Sequence, residues 1–406
     1  MSVTVHPSDV NYDPYDLAID TDPYPTFRRL RNETPLYYNE KYDFYALSRF
    51  VDVKAASVEW QTYQSGRGSV LELIKSGAAI PKGFILWEDP PIHDQHRALL
   101  SRVFTPRRIA EIEPKVRNFC AATLDALAGC RQFDLVADFG AEIPMRTIGM
   151  MLGIPDSDQA DHRHRVDEGM KLHADDEVPV EGSTALLDLV DPERFGAYID
   201  FREKNPSDDL MTDLLNATYK DEDGNEQHLD RATISTYVGL LAAAGNETTV
   251  RLISWAGKLL AEHPDQRAEL IANPALLPAA IEELLRYEAP SPVQARYVSR
   301  EVEHYGQSVP AGSVMLLLTA SANRDERVFE DPDRFDIHRS NVRSQIAFGF
   351  GIHNCLGAHL ARLEARVALE EIFKRFPRWD VDWDNTVQAH TATVRGWEKL
   401  PVLVGQ

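Results

Sequence analysis

The chain has 406 residues, of which 43% are hydrophobic and 26% are charged, a composition typical of folded globular proteins rather than of disordered ones. Its 64 acidic side chains outnumber the 43 basic ones and give a net charge of −21, which disfavours nucleic acid and anionic membranes as partners. The sequence has neither a run of about eighteen apolar residues nor a basic-then-apolar leader. We therefore expect a cytoplasmic protein without a membrane anchor.

The cysteines argue against a disulfide framework and against a structural zinc site. Cys120 and Cys130 lie ten residues apart in a helical pattern and resemble small core residues. The third, Cys355, has no second cysteine near it to complete a four-ligand zinc site with His353 or His359. Because the chain also lacks an internal repeat, a low-complexity tract and a clear linker, we expect one domain over residues 1–406.

The N-terminal part of the chain predicts a β-hairpin and then an ambiguous apolar segment. Residues 36–38 and 44–47 are strand-like runs separated by a polar turn. Residues 65–87 mix four glycines with large apolar side chains, among them Phe84, Ile85 and Trp87. That pattern fits either a mobile loop over an apolar ligand or a short core helix with flanking turns, and both interpretations stay open.

Several helices follow. Two prolines open a helix near residue 91, in which His93 and Arg97 lie four apart and share a face. Taken alone, this pair would more often be solvated. Helical periodicity then covers residues 109–127 and 143–152, and the second of these segments ends at Gly153. Residues 175–193 are acidic and contain two prolines and a glycine, which predicts a flexible connection between helices.

The longest periodic segment predicts one helix that begins after the N-cap Asp230 and ends before His263. At about 1.5 Å per residue it would span roughly 45 Å. In its middle Ala244 and Gly245 would let a flat ligand approach, and Gly245 would weaken the helix by about 1 kcal/mol. Glu247 and Thr248 could relay protons. The alternative is packing, with the threonine bonded to the preceding turn.

The most informative stretch is the loop at residues 348–357. Phe348 is followed by Gly349, Gly351, His353, Cys355 and Gly357, and then by a run of helix-forming residues. The glycines would allow close approach to a flat ligand, and a thiolate at Cys355 would be favoured by the N-terminus of the helix that follows. This spacing resembles the haem-binding loop of the cytochrome P450 family, and the resemblance extends in order over nearly the whole chain.

The resemblance implies a fold that is mainly α with a small β region and a long central helix crossing the haem. It places the β-rich parts near residues 30–60 and 290–320, and the helical core near 90–290 and 355–376. It implies haem b with Cys355 as the metal ligand, and it assigns cofactor contacts to His93, Arg97, Ala244, Arg296, Phe348, Gly349, His353, Cys355 and Gly357.

The resemblance also implies the catalytic, substrate and structural residues. Glu247 and Thr248 match the family's acid–alcohol pair, although many members carry aspartate rather than glutamate there. A buried brace would join Glu283 and Arg286 to Arg334, whereas the spacing of Glu283 and Arg286 alone favours an exposed surface pair. Residues 175–193 would form part of a lid. The substrate pocket would be lined by Phe84, Ile85, Trp87, Leu240, Ala244, Val293, Gln294, Ala392 and Thr393.

The implied activity is that of a haem-thiolate monooxygenase which hydroxylates a lipophilic terpenoid, steroid or fatty acid with O2 and electrons from a ferredoxin. Arg102, Arg343 and Arg362 are candidate ferredoxin contacts, and we expect a monomer. Three alternatives are a peroxide-driven peroxygenase, a non-catalytic haem or lipid-binding protein, and a cysteine hydrolase using Cys355 and His353. The hydrolase lacks a suitable base and orienting group.

Overall fold

The computed structural model describes residues 9–159, 195–220, 224–391 and 393–405. Within these ranges helices dominate. They are α1 (Leu17–Thr21), α2 (Tyr24–Glu33), α3 (Phe50–Val58), α4 (Leu71–Ser76), α5 (Ile92–Ser101), α6 (Pro106–Ala126), α7 (Glu142–Leu152), α8 (Gly196–Lys204), α9 (Leu210–Leu215), α10 (Arg231–Ala244), α11 (Glu247–Glu262), α12 (Pro264–Ala272), α13 (Leu277–Tyr287), α14 (Thr319–Ala322) and α15 (Ala358–Arg375).

The strands are short and form small sheets. They are β1 (Leu36–Asn39), β2 (Phe44–Leu47), β3 (Tyr63–Gln64), β4 (Gln132–Asp134), β5 (Thr218–Lys220), β6 (Glu226–His228), β7 (Gln294–Val298), β8 (Val302–His304), β9 (Gln307–Val309), β10 (Val314–Leu317), β11 (Trp379–Val381), β12 (Val387–His390), β13 (Arg395–Lys399) and β14 (Pro401–Val404). The largest sheet has the order β1-β2-β10-β7-β3, and a three-stranded sheet has the order β11-β14-β4.

The predicted hairpin is confirmed, because β1 and β2 pair antiparallel with Leu36 opposite Leu47. Two predicted helix ends are also confirmed. The Asp230 side chain accepts a hydrogen bond from the Thr233 backbone N–H at 2.7 Å and so caps α10. Gly153 ends α7 in a left-handed conformation, at φ +73°.

The prediction of one unbroken helix over residues 231–262 is wrong, because α10 ends at Ala244 and α11 begins at Glu247. At the break, the Asn246 N–H donates to the Ala243 carbonyl, which is an i→i−3 rather than an i→i−4 bond. The Thr248 hydroxyl donates to the Ala244 carbonyl at 3.1 Å. Glycine at 245 and this side-chain bond together explain why the backbone departs from regular helix here.

The apolar segment at residues 65–87 contains a short helix, α4, and a 3₁₀ turn over Ile85–Trp87. Phe84, Ile85 and Trp87 are buried in the main hydrophobic core, so this segment is packed. The predicted connection at residues 175–193 lies outside the described residues. The main core is formed largely by α5, α6, α7, α10, α11, α13 and α15, which places the α10–α11 break deep inside the fold.

Candidate active site

The cysteine loop is folded back on itself just before α15. The Cys355 N–H donates to the Phe348 carbonyl at 2.8 Å, and the Asn354 side-chain amide donates to the Gly349 carbonyl at 3.1 Å. The helix α15 begins three residues after the cysteine, as the sequence predicts. These bonds fix the position of the sulfur relative to the helix.

Two glycines in the loop have different roles. Gly349 has φ +70° and leaves open space, since an added Cβ would meet only the His353 carbonyl, at 3.6 Å. Gly351 has φ +77°, and its Cβ would lie 2.4 Å from the Ser57 carbonyl oxygen in α3. Gly349 therefore fits the expected approach of a flat ligand, whereas Gly351 is required by packing of the loop against α3.

The pKa of Cys355 differs from the expectation that the helix N-terminus would favour a thiolate. The Cys355 side chain has an accessible surface, yet the surrounding protein limits its hydration and raises the pKa of the thiol. The Gly357 backbone N–H and the guanidiniums of Arg97 and Arg362 act in the opposite direction. Desolvation thus outweighs the helix terminus, and a coordinated cation is what would hold this group as a thiolate.

Beside the loop lies a cluster of buried nitrogen donors from three elements. His93 of α5 is 1% exposed, and its ring lies 4.5 Å from that of His353. The Nε2 atoms of both rings are buried and lack a hydrogen-bond partner among the described residues. Arg296 of β7 is buried, and this burial lowers the pKa of its guanidinium to about 10. Its Nη1 donates to the Ala295 carbonyl.

Arg97 completes this cluster, one helical turn after His93. Its Nη2 donates to the Asn354 carbonyl at 2.6 Å, which ties α5 to the cysteine loop. Burial, followed by the charges of Arg296, His93 and Arg97, lowers the pKa of His353 to about 2. Two buried ring nitrogens without a partner among the described residues, beside two guanidinium groups, fit an anionic ligand, and the two propionate carboxylates of haem match that requirement. The residues present therefore fit the cofactor that the sequence implies.

The predicted acid–alcohol pair lies at the helix break, but its two members have different partners. Glu247 is 3% exposed and its carboxylate lies 2.5 Å from the guanidinium of Arg251. Arg251 in turn donates to the Trp397 carbonyl at 2.5 Å. Thr248 is bonded to the Ala244 carbonyl. Ala244 is exposed although residues 233–243 of the same helix are buried, so it borders an open space in the fold.

The buried brace has a different third member from the one predicted. Glu283 and Arg286 are fully buried and form two bonds, of 2.7 and 2.8 Å. The second arginine on Glu283 is Arg339, whose Nε lies 3.1 Å from both carboxylate oxygens. The Arg334 side chain is 66% exposed and pairs with Asp336. The prediction of Arg334 is therefore wrong; only its backbone carbonyl takes part, accepting from Arg286 and Arg339.

The predicted pocket residues fall into two groups. Phe84, Ile85, Trp87 and Leu240 are buried in the main core. Near the C-terminus the Ser291 hydroxyl accepts from the Gln294 amide and donates to the Thr393 carbonyl, which joins the two predicted pocket segments. Val293 and Thr393 line a cavity of about 70 Å³ beside the N-terminal segment. Ala392 lies outside the described residues.

Sequence reasoning missed three site-related groups. Arg251 stands four residues after Glu247, and that spacing on a helix could have indicated the pair. Arg339 reaches Glu283 across 56 positions, for which the sequence carries no local signal. Glu364 of α15 is 1% exposed, and burial raises the pKa of its carboxyl to about 8. None of the helices in the described ranges combines the length and apolar character needed to cross a bilayer.

A cysteine on a tightly folded loop, beside buried cationic donors and a broken central helix, defines a site of the haem-thiolate class. Comparison with known proteins agrees: a family model described as Cytochrome P450 matches residues 193–393. The chain is 39% identical over 410 residues to cytochrome P450 123 of Mycobacterium tuberculosis, covering 100% of this chain and 99% of that protein.

Two further similarities have the same implication. The vitamin D(3) 25-hydroxylase of Pseudonocardia autotrophica is 34% identical over 393 residues, covering 95% of this chain and 94% of that protein. The structure of CYP109E1 from Bacillus megaterium in complex with testosterone covers 96% of this chain and 99% of that one, with 28% identity and a TM-score of 0.84. The chain therefore belongs to the cytochrome P450 family, whose members are monooxygenases with a cysteine-ligated haem. The predicted fold class is confirmed.

Proposed function

We propose that Cys355 would hold haem b through its thiolate and that the chain hydroxylates a lipophilic substrate with O2 and two electrons. The observation that carries the assignment is the cluster of His93, His353, Arg97 and Arg296 beside the cysteine loop, in which the Nε2 atoms of both histidines are buried without a hydrogen-bond partner among the described residues. When bound, the haem would supply the oxygen chemistry, and the Cys355 thiolate would donate electron density to it. The protein contributes binding, orientation and protons.

Phe348, Gly349 and Gly357 would shape the surface on which the cofactor rests, and Ala244 would face it from the helix break. Arg362 supports this surface, because its guanidinium lies 4.5 Å from the centre of the Phe348 ring. The two histidines and two arginines would bind the propionates.

Proton delivery is assigned to Thr248 and Glu247. The Thr248 hydroxyl can donate its proton and be resupplied by a carboxyl group or a water within hydrogen-bond reach. Because Glu247 is paired with Arg251, the carboxylate must turn away from that guanidinium, or a water must bridge the two groups. A peroxide-driven reaction needs no such delivery, and the observation that Glu247 is held by Arg251 favours it as a second candidate.

The substrate class is proposed to be a terpenoid, steroid or fatty acid. The supporting features are the apolar side chains of Phe84, Ile85, Trp87, Leu240 and Val293, which favour a ligand with a large apolar surface. A relative named as a vitamin D(3) hydroxylase and a neighbour solved with testosterone support a steroid-like shape. Gln294 and Thr393 would add polar contacts.

Electrons would come from a ferredoxin that docks on the cysteine side. Arg102 and Arg343 are exposed, and the described part of the chain offers neither an ion-pair partner, so both suit an acidic protein. Arg362 is a poorer contact, because Glu282 binds its guanidinium at 2.5 Å. With a net charge of −21 on this chain, attraction to an acidic partner must be local and should weaken with salt.

The decisive experiment compares Cys355→Ala with Cys130→Ala, a control at a half-buried cysteine outside the site. The wild-type chain and the control should give the thiolate-type absorption spectrum of the reduced carbonyl complex, and Cys355→Ala should lose it. Turnover of testosterone with ferredoxin, reductase and NADPH is then compared with turnover driven by hydrogen peroxide. Equal spectra in both variants would refute the ligand assignment, and turnover with peroxide alone would favour the second candidate.

A further inference from the structure

A short turn between α4 and α5 is closed by a single buried carboxylate. The turn spans residues 83–88 and carries Phe84, Ile85 and Trp87. Within it the Trp87 backbone N–H donates to the Phe84 carbonyl at 2.7 Å. The rings of Phe84 and Trp87 stack at a centroid distance of 3.6 Å with an interplanar angle of 3°. The geometry of the two aromatic side chains therefore depends on the turn staying closed.

Glu88 makes two contacts that hold this turn. Its Oε1 accepts from the Gly83 backbone N–H at 2.9 Å, which joins the two ends of the turn. Its Oε2 lies 2.7 Å from the Nδ1 atom of His96 in α5. Because a carboxylate only accepts, Nδ1 carries the proton in this contact. One side chain thus closes the turn and attaches it to α5.

Both partners are withdrawn from water, since Glu88 is 8% and His96 is 4% exposed. A buried carboxylate without compensation would be costly, whereas hydrogen bonds to an ionised group are stronger than those between neutral groups. The ring of Tyr237 packs edge-on against His96 at 5.5 Å, and its hydroxyl is buried with no partner among the described residues. Polar groups in this apolar core indicate a role that simple packing does not require.

The other side of the turn packs closely against α10. Gly83 has φ +88°, and an added Cβ would lie 2.9 Å from Cγ2 of Thr233 and 3.1 Å from its carbonyl oxygen. The turn is therefore held between α5, through His96, and α10, through the close approach at Gly83. Movement of either contact would displace the stacked aromatic pair.

We propose that Glu88 and His96 are positioning residues that lock the turn at residues 83–88 and so determine how Phe84, Ile85 and Trp87 meet a lipophilic substrate. The consequence for substrate binding rests on the proposed function. The lock itself, meaning the restraint of the turn by Glu88 and His96, does not. Glu88 and His96 act through the turn and do not themselves contact the substrate. Glu88→Gln keeps an oxygen that can accept from Gly83 and should retain part of the effect.

The lock is tested by hydrogen–deuterium exchange of the purified full-length protein. In Glu88→Ala and His96→Phe, the peptide covering residues 82–88 should exchange about tenfold faster, the loss expected for one or two buried hydrogen bonds. Exchange in α15 serves as the reference for global stability. Gly83→Ala should loosen the same peptide, whereas the matched control Gly77→Ala should not, because Gly77 has φ +64° but open space around it.

The consequence for binding is measured with testosterone and with hexadec-9-enoic acid as probes, through the absorption change of the haem. Dissociation constants should rise about tenfold in Glu88→Ala and less in Glu88→Gln, while the thiolate-type carbonyl spectrum stays unchanged. Wild-type exchange rates at residues 82–88 in Glu88→Ala would overturn the lock, as would equal loosening by Gly77→Ala. A chain without the carbonyl spectrum would instead refute the proposed function, and the exchange experiment would still decide the lock.

Discussion

Arg251 contacts the Glu247 carboxylate at 2.5 Å, four residues along the same helix, and both side chains are almost completely buried. The Arg251 side chain passes close to Gly396, where an added Cβ would lie 2.7 Å from its Cδ atom. Glycine at 396 therefore leaves room for the arginine. The position of the Glu247 carboxylate thus depends on the β12–β13 hairpin, which lies about 150 positions away in the sequence.

Loss of this guanidinium should destabilise the fold. Arg251→Leu leaves a buried carboxylate unpaired, and we expect the free energy of unfolding to fall by about 3–5 kcal/mol in urea denaturation. Adding Glu247→Gln should restore part of the loss. Lys258→Gln is the matched control, because Lys258 and Glu262 form a more exposed pair at the same spacing in α11. It should change stability by less than about 1 kcal/mol. Equal losses in both variants would contradict the pairing.

The buried brace at Glu283 predicts different losses of stability for substitutions of Arg334 and Arg339, which lie five positions apart. Arg339→Leu removes a buried partner of Glu283 and should cost about 3–5 kcal/mol. Arg334→Leu removes an exposed side chain that is paired with Asp336, and should cost less than about 1 kcal/mol. Chemical denaturation of both variants measures the difference. A larger loss in Arg334→Leu would restore the prediction made from the sequence.

Burial of Glu364 should make stability depend on pH. Its pKa is raised from an ordinary value of 4.5 to about 8, so the folded state holds a proton that the unfolded state releases. The stabilising effect of the neutral carboxyl is complete below about pH 4.5 and is lost as the pH rises toward 8, with an upper limit of roughly 5 kcal/mol. The nearby side chains of Thr147 and Thr249 act in the opposite direction on this pKa and moderate the shift.

Urea denaturation between pH 5 and pH 9 measures this effect. Glu364→Gln should flatten the decline in stability with rising pH. The control is Glu371→Gln on the same helix, because its ion partners lower the pKa of Glu371 to about 2 in spite of partial burial. That variant should lose stability without flattening the decline. An unchanged slope in Glu364→Gln would show that another group is responsible.

Electron delivery should depend on Arg102 and Arg343 together. Neutralising both by Arg102→Gln and Arg343→Gln should slow reduction by a ferredoxin several-fold at low ionic strength and less at high salt. Arg300→Gln provides a control at an exposed arginine that is paired with Glu59. Stopped-flow reduction under carbon monoxide measures the rate. Unchanged rates in the double variant would exclude these two side chains from the docking surface.

Features that depend on neighbouring residues could be predicted from the amino-acid sequence. The β1–β2 hairpin, the Asp230 cap, the end of α7 at Gly153 and the position of Cys355 before α15 all follow from local periodicity and from residue types suited to caps and turns. The spacing of the cysteine loop also predicted the family, because this pattern is specific and can be recognised without knowing the rest of the fold.

Contacts between residues far apart in the sequence could be identified only from the three-dimensional packing. Arg339 rather than Arg334 binds Glu283, Gly351 is needed beside Ser57 rather than beside the cofactor, and Glu88 closes a turn against α5 and α10. In an unfolded chain, charged and polar side chains can form hydrogen bonds with water or with many different protein groups. Burial removes water as a partner, so the final choice depends on which groups the packed helices bring within about 3 Å.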